Sequence, residues 1–276
     1  MLAKNIDAIL FDYSNAEVAI SIIDQSRNII VHGNGERPFH AASTMKVPVL
    51  IELYRQKSLG HLSLNDSLLV KNEFRSILDG SSYAIEDDSD DAIYENLSSM
   101  MSLRDLAYQM ITVSSNLATN LLIDFLSADS VQATSERLGT LNSYTLRGVE
   151  DLKAFDEGLN NTMTSRDLAI LMEAIRTGNA VSPEDDDEMV AIMRDQFFNS
   201  MITAGVPREA EVAHKTGSIT NIHHDAAIIY PPDDDSFVLV VMTEGIEDRT
   251  VSSELGARIA AAVYQVLRSN KRPDVD

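Results

Sequence analysis

The segment AASTMKVPVL (residues 41–50) is apolar almost throughout, and its only charged side chain is Lys46, three residues after Ser43. A lysine in such a run is costly to desolvate unless it has a partner or a task. From Ser43 onward Val47, Leu50, Ile51 and Tyr54 recur at helical spacing, and Gly60 closes the pattern. The period therefore predicts a buried helix opened by Ser43 and Lys46 on one face. Pro48 is expected in its second turn, with a local distortion. A buried amine beside a hydroxyl can lose its proton near neutral pH and act as a general base.

Strand signals lie on both sides of this helix. EVAISIIDQSRNIIVHGNGERPF (17–39) follows a short N-terminal helix and reads as a hairpin, with DQSRN as its turn. EVAHKTGSIT (211–220), DAAIIYP (225–231) and SFVLVVMTEG (236–245) are again β-branched and alternating, with PPDDD between the last two. SSELGARIAAAVYQVLRSN (252–270) reads as a closing helix. Residues 61–200 read as mostly helical. SLRDLAYQMITVSSNLATNLLIDFL is capped at Ser102, and TSRDLAILMEAIRTG is capped by Thr164 or Ser165 and closed by Gly178. Between them NSYTLRGVEDLKAFDEGLNN (142–161) has weak periodicity and reads as a functional loop. The predicted class is α+β: an antiparallel sheet built from both chain ends and flanked by helices, with an inserted, mostly helical lobe. The sheet lobe is expected from residues 1–42 plus 201–276, and the helical lobe from 43–200.

Composition narrows the function. The 276 residues are 44% hydrophobic and 24% charged, as in an ordinary globular protein. No apolar run approaches the roughly 20 residues that span a bilayer. The first 18 residues do not read as a secretory signal, so the compartment is left open. With no cysteine, disulfides, thiolate nucleophiles and cysteine metal sites are excluded. A formal net charge of -21 argues against nucleic acid and anionic membrane surfaces. The acid is clumped in EDDSDD (86–91), EDDDE (184–188) and DDD (233–235), which read as solvated loops. None has the spaced-oxygen pattern of a calcium loop. Adjacent His223 and His224 on a strand would face opposite sides, so no shared metal is expected. No cofactor is implied, and a monomer is expected.

Two more short motifs carry polar chemistry. Val113-Ser114-Ser115-Asn116 interrupts an apolar stripe, and Lys215-Thr216-Gly217-Ser218 lies on a predicted strand whose glycine marks a close approach. Each motif is common alone. Together, in this order and at these spacings, SxxK, SxN and KTG resemble the penicillin-recognising serine hydrolases, the class A β-lactamases and penicillin-binding proteins. NTMTSRDLAILM after the loop fits the same family, and the resemblance covers essentially the whole chain.

The resemblance implies a role for each motif residue. Ser43 would attack the carbonyl carbon of a β-lactam or a D-alanyl-D-alanine peptide, and Lys46 would take its proton or tune its pKa. Ser114, with Lys215 beside it, would pass a proton to the departing nitrogen. Asn116 would position the substrate amide and Lys46, and Thr216 would bind the substrate carboxylate. The backbone N–H groups of Ser43 and Ser218 would form the oxyanion hole. His224 falls near an arginine that many class A enzymes use for that carboxylate. The chain departs from the pattern where Ser115 replaces an aspartate, and in the loop that should carry the base for deacylation. Glu150, Asp151 and Asp156 (with Asn160 four residues on) are candidates there, Glu150 first. The implied activity is opening of a β-lactam ring through an acyl-enzyme. A D-alanyl-D-alanine carboxypeptidase and a non-catalytic sensor of β-lactams or cell-wall fragments are the alternatives.

Overall fold

The structure, a computed structural model, describes residues 2–24, 26, 28–232 and 235–269. Five antiparallel strands form the main sheet: β1 (Glu17–Ile23), β2 (Ile29–Gly33), β3 (Glu211–Ile219), β4 (Ile222–Tyr230) and β5 (Phe237–Glu244). Their order is β2-β1-β5-β4-β3, so the N-terminal hairpin pairs directly with the last strand. β4 starts three residues before the expected Asp225, which puts both histidines inside it. Asp233 and Asp234 of the PPDDD turn lie outside the described residues.

The strands alternate faces, and each face has its own cover. Ile20, Ile22, Ala227, Ile229, Leu239 and Val241 pack against α1 (Leu2–Leu10) and the long C-terminal helix Arg249–Ser269. The opposite face contributes Ala19, Ile23, Ala226, Ile228, Val240 and Met242 to a larger core shared with the helices of the middle of the chain. Those helices are α2 (Lys46–Ser58), α3 (Leu103–Thr112), α4 (Asn116–Leu126), α5 (Ala128–Arg137), α6 (Ser165–Arg176) and α7 (Pro183–Arg194). The C-terminal helix is α8 (Arg249–Ser269). α6, capped by Thr164, lies across the sheet, where Ser165 Oγ meets Ser21 Oγ at 2.8 Å in the buried interface. Among the described residues no helix is long and apolar enough to cross a membrane.

Several expectations need correction. Ser43 does not open an α-helix. It lies in a 3-10 turn, Ala42–Met45, and α2 begins at Lys46. Pro48 is therefore in the first turn, where its missing N–H had no helical partner to lose, and no distortion is required. The middle of the chain also holds two-stranded ribbons: Ser67–Leu69 with Met100–Ser102, Phe74–Arg75 with Ser82–Tyr83, and Thr162–Met163 with Phe39–His40. EDDDE is not a loop. It sits in the first two turns of α7, behind the Ser182 cap, where negative charge suits the helix N-terminus. Asp186 there accepts the N–H groups of Ala180 and Val181. EDDSDD is a loop, but not a free one. It forms one wall of the site described next.

Candidate active site

Three separate elements meet around one hydroxyl. α3 ends at Thr112 and α4 starts at Asn116, so Val113–Ser115 form a break rather than a continuous helix. Ser114 adopts φ +61°, a left-handed conformation unusual for a side-chain-bearing residue. The break turns the Ser114 hydroxyl between two amines. Lys46 Nζ lies 3.2 Å from it and Lys215 Nζ 3.1 Å. Lys46 also donates to Ser114 O at 2.6 Å and Asn116 Oδ1 at 2.9 Å, which occupies its three N–H bonds. Lys215 donates to Thr216 O at 2.9 Å.

Both amines are fully buried. Burial pulls the Lys46 pKa down to about 7, against the pull of the Asp88 and Glu150 carboxylates, which favour the charge. Burial and the neighbouring Lys46 also pull Lys215 well below the usual lysine range, while Asp225 opposes the shift. Two like charges around one hydroxyl disfavour each other, so the pair gives up a proton far more readily than surface lysines do.

Ser43 is half-buried on the 3-10 turn, one turn ahead of Lys46; residues three apart eclipse in that geometry. β3 passes directly alongside. A Cβ on Gly217 would lie 3.0 Å from both Ser43 N and Thr44 N, so glycine alone lets strand and turn approach this closely. Thr216 is buried opposite Asp225, and half-buried Ser218 stands opposite His223 on β4.

The acidic loop closes the other side. Asp88 accepts the N–H groups of Asn116 at 2.8 Å and Leu117 at 2.9 Å, capping α4 from a distance of 28 residues in sequence. Ser115 caps the same helix through Ala118 N, and burial raises the neighbouring Asp90 carboxyl against hydrogen bonds from Ile93 and Ser115. Ser89 Oγ donates to Val113 O at 2.6 Å, holding the break itself. Ser115 thus supplies one support at this position itself, and Asp88 and Ser89 supply the others.

The three loop carboxylates have different fates. Glu150, at φ +59°, accepts from Asn116 Nδ2 at 3.1 Å through Oε1, and from the N–H groups of Glu86 at 2.7 Å and Asp87 at 3.3 Å through Oε2. Asn116 therefore bridges Glu150 to Lys46. Asp151 is buried, caps the short helix Leu152–Asp156 and accepts Ile77 N–H. Asp156 is exposed, and Asn160 four residues on receives Arg147 instead. The loop is pinned by Asn120, which bonds both backbone groups of Val149 at 2.6 and 3.0 Å. A Cβ on Gly148 would meet the Asn120 carboxamide.

His224 is turned to the backbone. It is fully buried, Nε2 donates to His40 O at 3.0 Å, and Nδ1 accepts Thr243 N–H at 3.2 Å. Both ring nitrogens are committed to backbone, and burial holds its pKa near 4. His223 points the other way, to Ser252 Oγ on α8.

A family model described as the beta-lactamase enzyme family matches residues 1–267. The chain belongs to that family. It is 26% identical over 266 residues to a beta-lactamase of Bacillus licheniformis, covering 93% of this chain and 81% of that one. The structure of a beta-lactamase from Sphaerobacter thermophilus is similar at 28% identity and TM-score 0.81, covering 99% and 98% of the two chains. The structure of PBP-A is similar at 28% identity and TM-score 0.84, covering 97% and 96%. The five-stranded antiparallel sheet with flanking helices is thus the fold of the class A β-lactamases and their penicillin-binding relatives.

Proposed function

We propose that this β-lactamase-family chain opens β-lactam rings through an acyl-enzyme on Ser43. The observation that carries the reading is the Ser114 hydroxyl, shared by the Lys46 and Lys215 amines beside the Ser43 turn. Neutral Lys46 takes the Ser43 proton as Oγ attacks the lactam carbonyl. The Ser43 and Ser218 N–H groups receive the oxyanion, a contribution of about 3 kcal/mol per donor in comparable sites. Ser114 delivers a proton to the departing ring nitrogen and is resupplied from the amine pair. Asn116 orients substrate and Lys46, and Thr216 receives the carboxylate. Glu150 then activates the water that releases the product, and the cleft lies at the seam between residues 1–42 plus 201–276 and residues 43–200. Hydrolysis of a chromogenic cephalosporin by the wild type, lost in Ser43→Ala, is the expected result; equal rates in both would remove Ser43 from the mechanism.

A second reading shares the acylation step and differs in release. Every hydrogen bond of Glu150 named above is to Asn116 or to the backbone of residues 86–87, and the likeness to PBP-A points the same way. On this reading the chain is a penicillin-binding enzyme acting on D-alanyl-D-alanine peptides. A penicillin adduct that outlives many turnovers' worth of time on the protein supports it; rapid loss of the adduct excludes it.

A further inference from the structure

Ala42, immediately before Ser43, adopts φ +45°. That conformation costs an L-residue about 1–2 kcal/mol, so the surroundings must hold it. Ala42 is also buried, and its N–H needs a partner. The partner is the imidazole two residues earlier: Ala42 N–H donates to His40 Nδ1 at 3.1 Å. His40 is itself fixed from three directions. Its backbone pairs with Thr162, its carbonyl accepts from His224 Nε2, and its ring meets the Phe155 ring edge-on at 5.8 Å.

We propose that His40 is a positioning residue for Ser43: its neutral ring clamps the strained Ala42 amide, and protonation of that ring opens the clamp. The proposal rests on the reading of Ser43 as nucleophile. A ring nitrogen accepts a hydrogen bond only while it carries no proton, so the clamp requires the tautomer with hydrogen on Nε2. The peptide so held leads into Ser43, whose N–H and Oγ must both be placed for attack. Displacements well under 1 Å there are costly to rate.

The charged groups facing the ring set when the clamp holds. Burial lowers the His40 pKa below its usual value, the Arg147 guanidinium of the loop lowers it further, and the Glu244 carboxylate at the end of β5 raises it. Phe155 is uncharged, and His224 is neutral and bonded through the His40 carbonyl. The clamp is therefore closed at neutral pH and opens in acid.

Asparagine at position 40 offers a test. Its side-chain oxygen can accept an N–H two residues on, as in an Asx turn, and it does not titrate. The experiment follows hydrogen exchange of the Ala42 amide by NMR, and acylation by penicillin by mass, from pH 5 to 8. It compares wild type, His40→Asn and His40→Ala. In the wild type, Ala42 protection is expected to fall about tenfold on acidification after correction for intrinsic exchange. His40→Asn should keep both protection and acylation, within about threefold, and lose the pH dependence of protection. His40→Ala should expose Ala42 at every pH and acylate about tenfold more slowly at pH 8. Wild-type protection independent of pH, or an alanine variant that protects Ala42 as the wild type does, overturns the clamp. A wild type that never acylates overturns the function proposed above, while the exchange measurement still decides the clamp.

Discussion

Lys215, from the third strand of the sheet, holds its amine 3.1 Å from the hydroxyl of Ser114, which sits in the break between two helices 101 residues earlier. Lys46 reaches the same hydroxyl from the start of α2. Neither contact is local, so the site exists only in the folded chain.

Removing the shared hydroxyl tests the proton relay proposed for Ser114. Ser114→Ala should slow acylation by penicillin about 10²–10³-fold, the usual range for a positioned acid–base group. Both amines stay buried, so the loss should appear in the acylation rate more than in substrate affinity. Stopped-flow acylation at several penicillin concentrations separates the two.

The Lys46 pKa of about 7 predicts the direction of the pH dependence. Only the neutral amine accepts the Ser43 proton, so the acylation rate should fall as pH drops through about 7 and level off above it. Lys46→Arg, which keeps its proton throughout, should abolish the limb along with most of the rate. A rate unchanged between pH 6 and pH 8 would remove Lys46 as the base.

Glu150 is expected to act after acylation. Glu150→Gln should form the adduct within about threefold of the wild-type rate and release it at least 10²-fold more slowly. The readout is the lifetime of the adduct after excess penicillin is removed. Equal lifetimes in the two proteins would take Glu150 out of the release step.

His224 makes stability depend on pH. Its ring holds a proton only below about 4 when folded, against its ordinary 6.5 when unfolded. Between these values the unfolded chain binds the proton and the folded chain does not, so stability falls as pH falls through that window. The full traverse amounts to on the order of 3 kcal/mol. Urea unfolding at pH 4.5 and 7 should show a smaller difference in His224→Asn than in the wild type.

Gly217→Ala places a methyl 3.0 Å from two backbone nitrogens of the Ser43 turn. Strand and turn must separate, at a cost of about 1–3 kcal/mol. Thermal unfolding should shift down and acylation should slow, because the turn that moves carries Ser43.

Most of the fold was legible in the sequence because alternation and helical period report burial directly. The hairpin, the three late strands and the caps at Ser102 and Thr164 follow from such local patterns. What misled was chemistry supplied from far away. EDDSDD has the composition of a solvated loop, yet Asp88 caps a helix 28 residues on, and no short-range pattern encodes that partner. Asn120 had a signal: one turn after Asn116, it is a polar residue on the buried side of an apolar helix. Both His224 ring nitrogens bond backbone, and a histidine beside a KTG motif looks the same in sequence whether its nitrogens face a ligand or backbone. Ser43 lies before α2 rather than in it, on a turn that follows Ala42 at φ +45°, and no apolar period reports such a turn.

Intact-mass measurement at successive times after adding penicillin decides whether Ser43 carries an acyl-enzyme. One covalent adduct is expected on the wild type, mapped to Ser43 after digestion, which then decays, and none on Ser43→Ala. A wild type that stays unmodified, or an identical adduct on Ser43→Ala, would contradict this expectation.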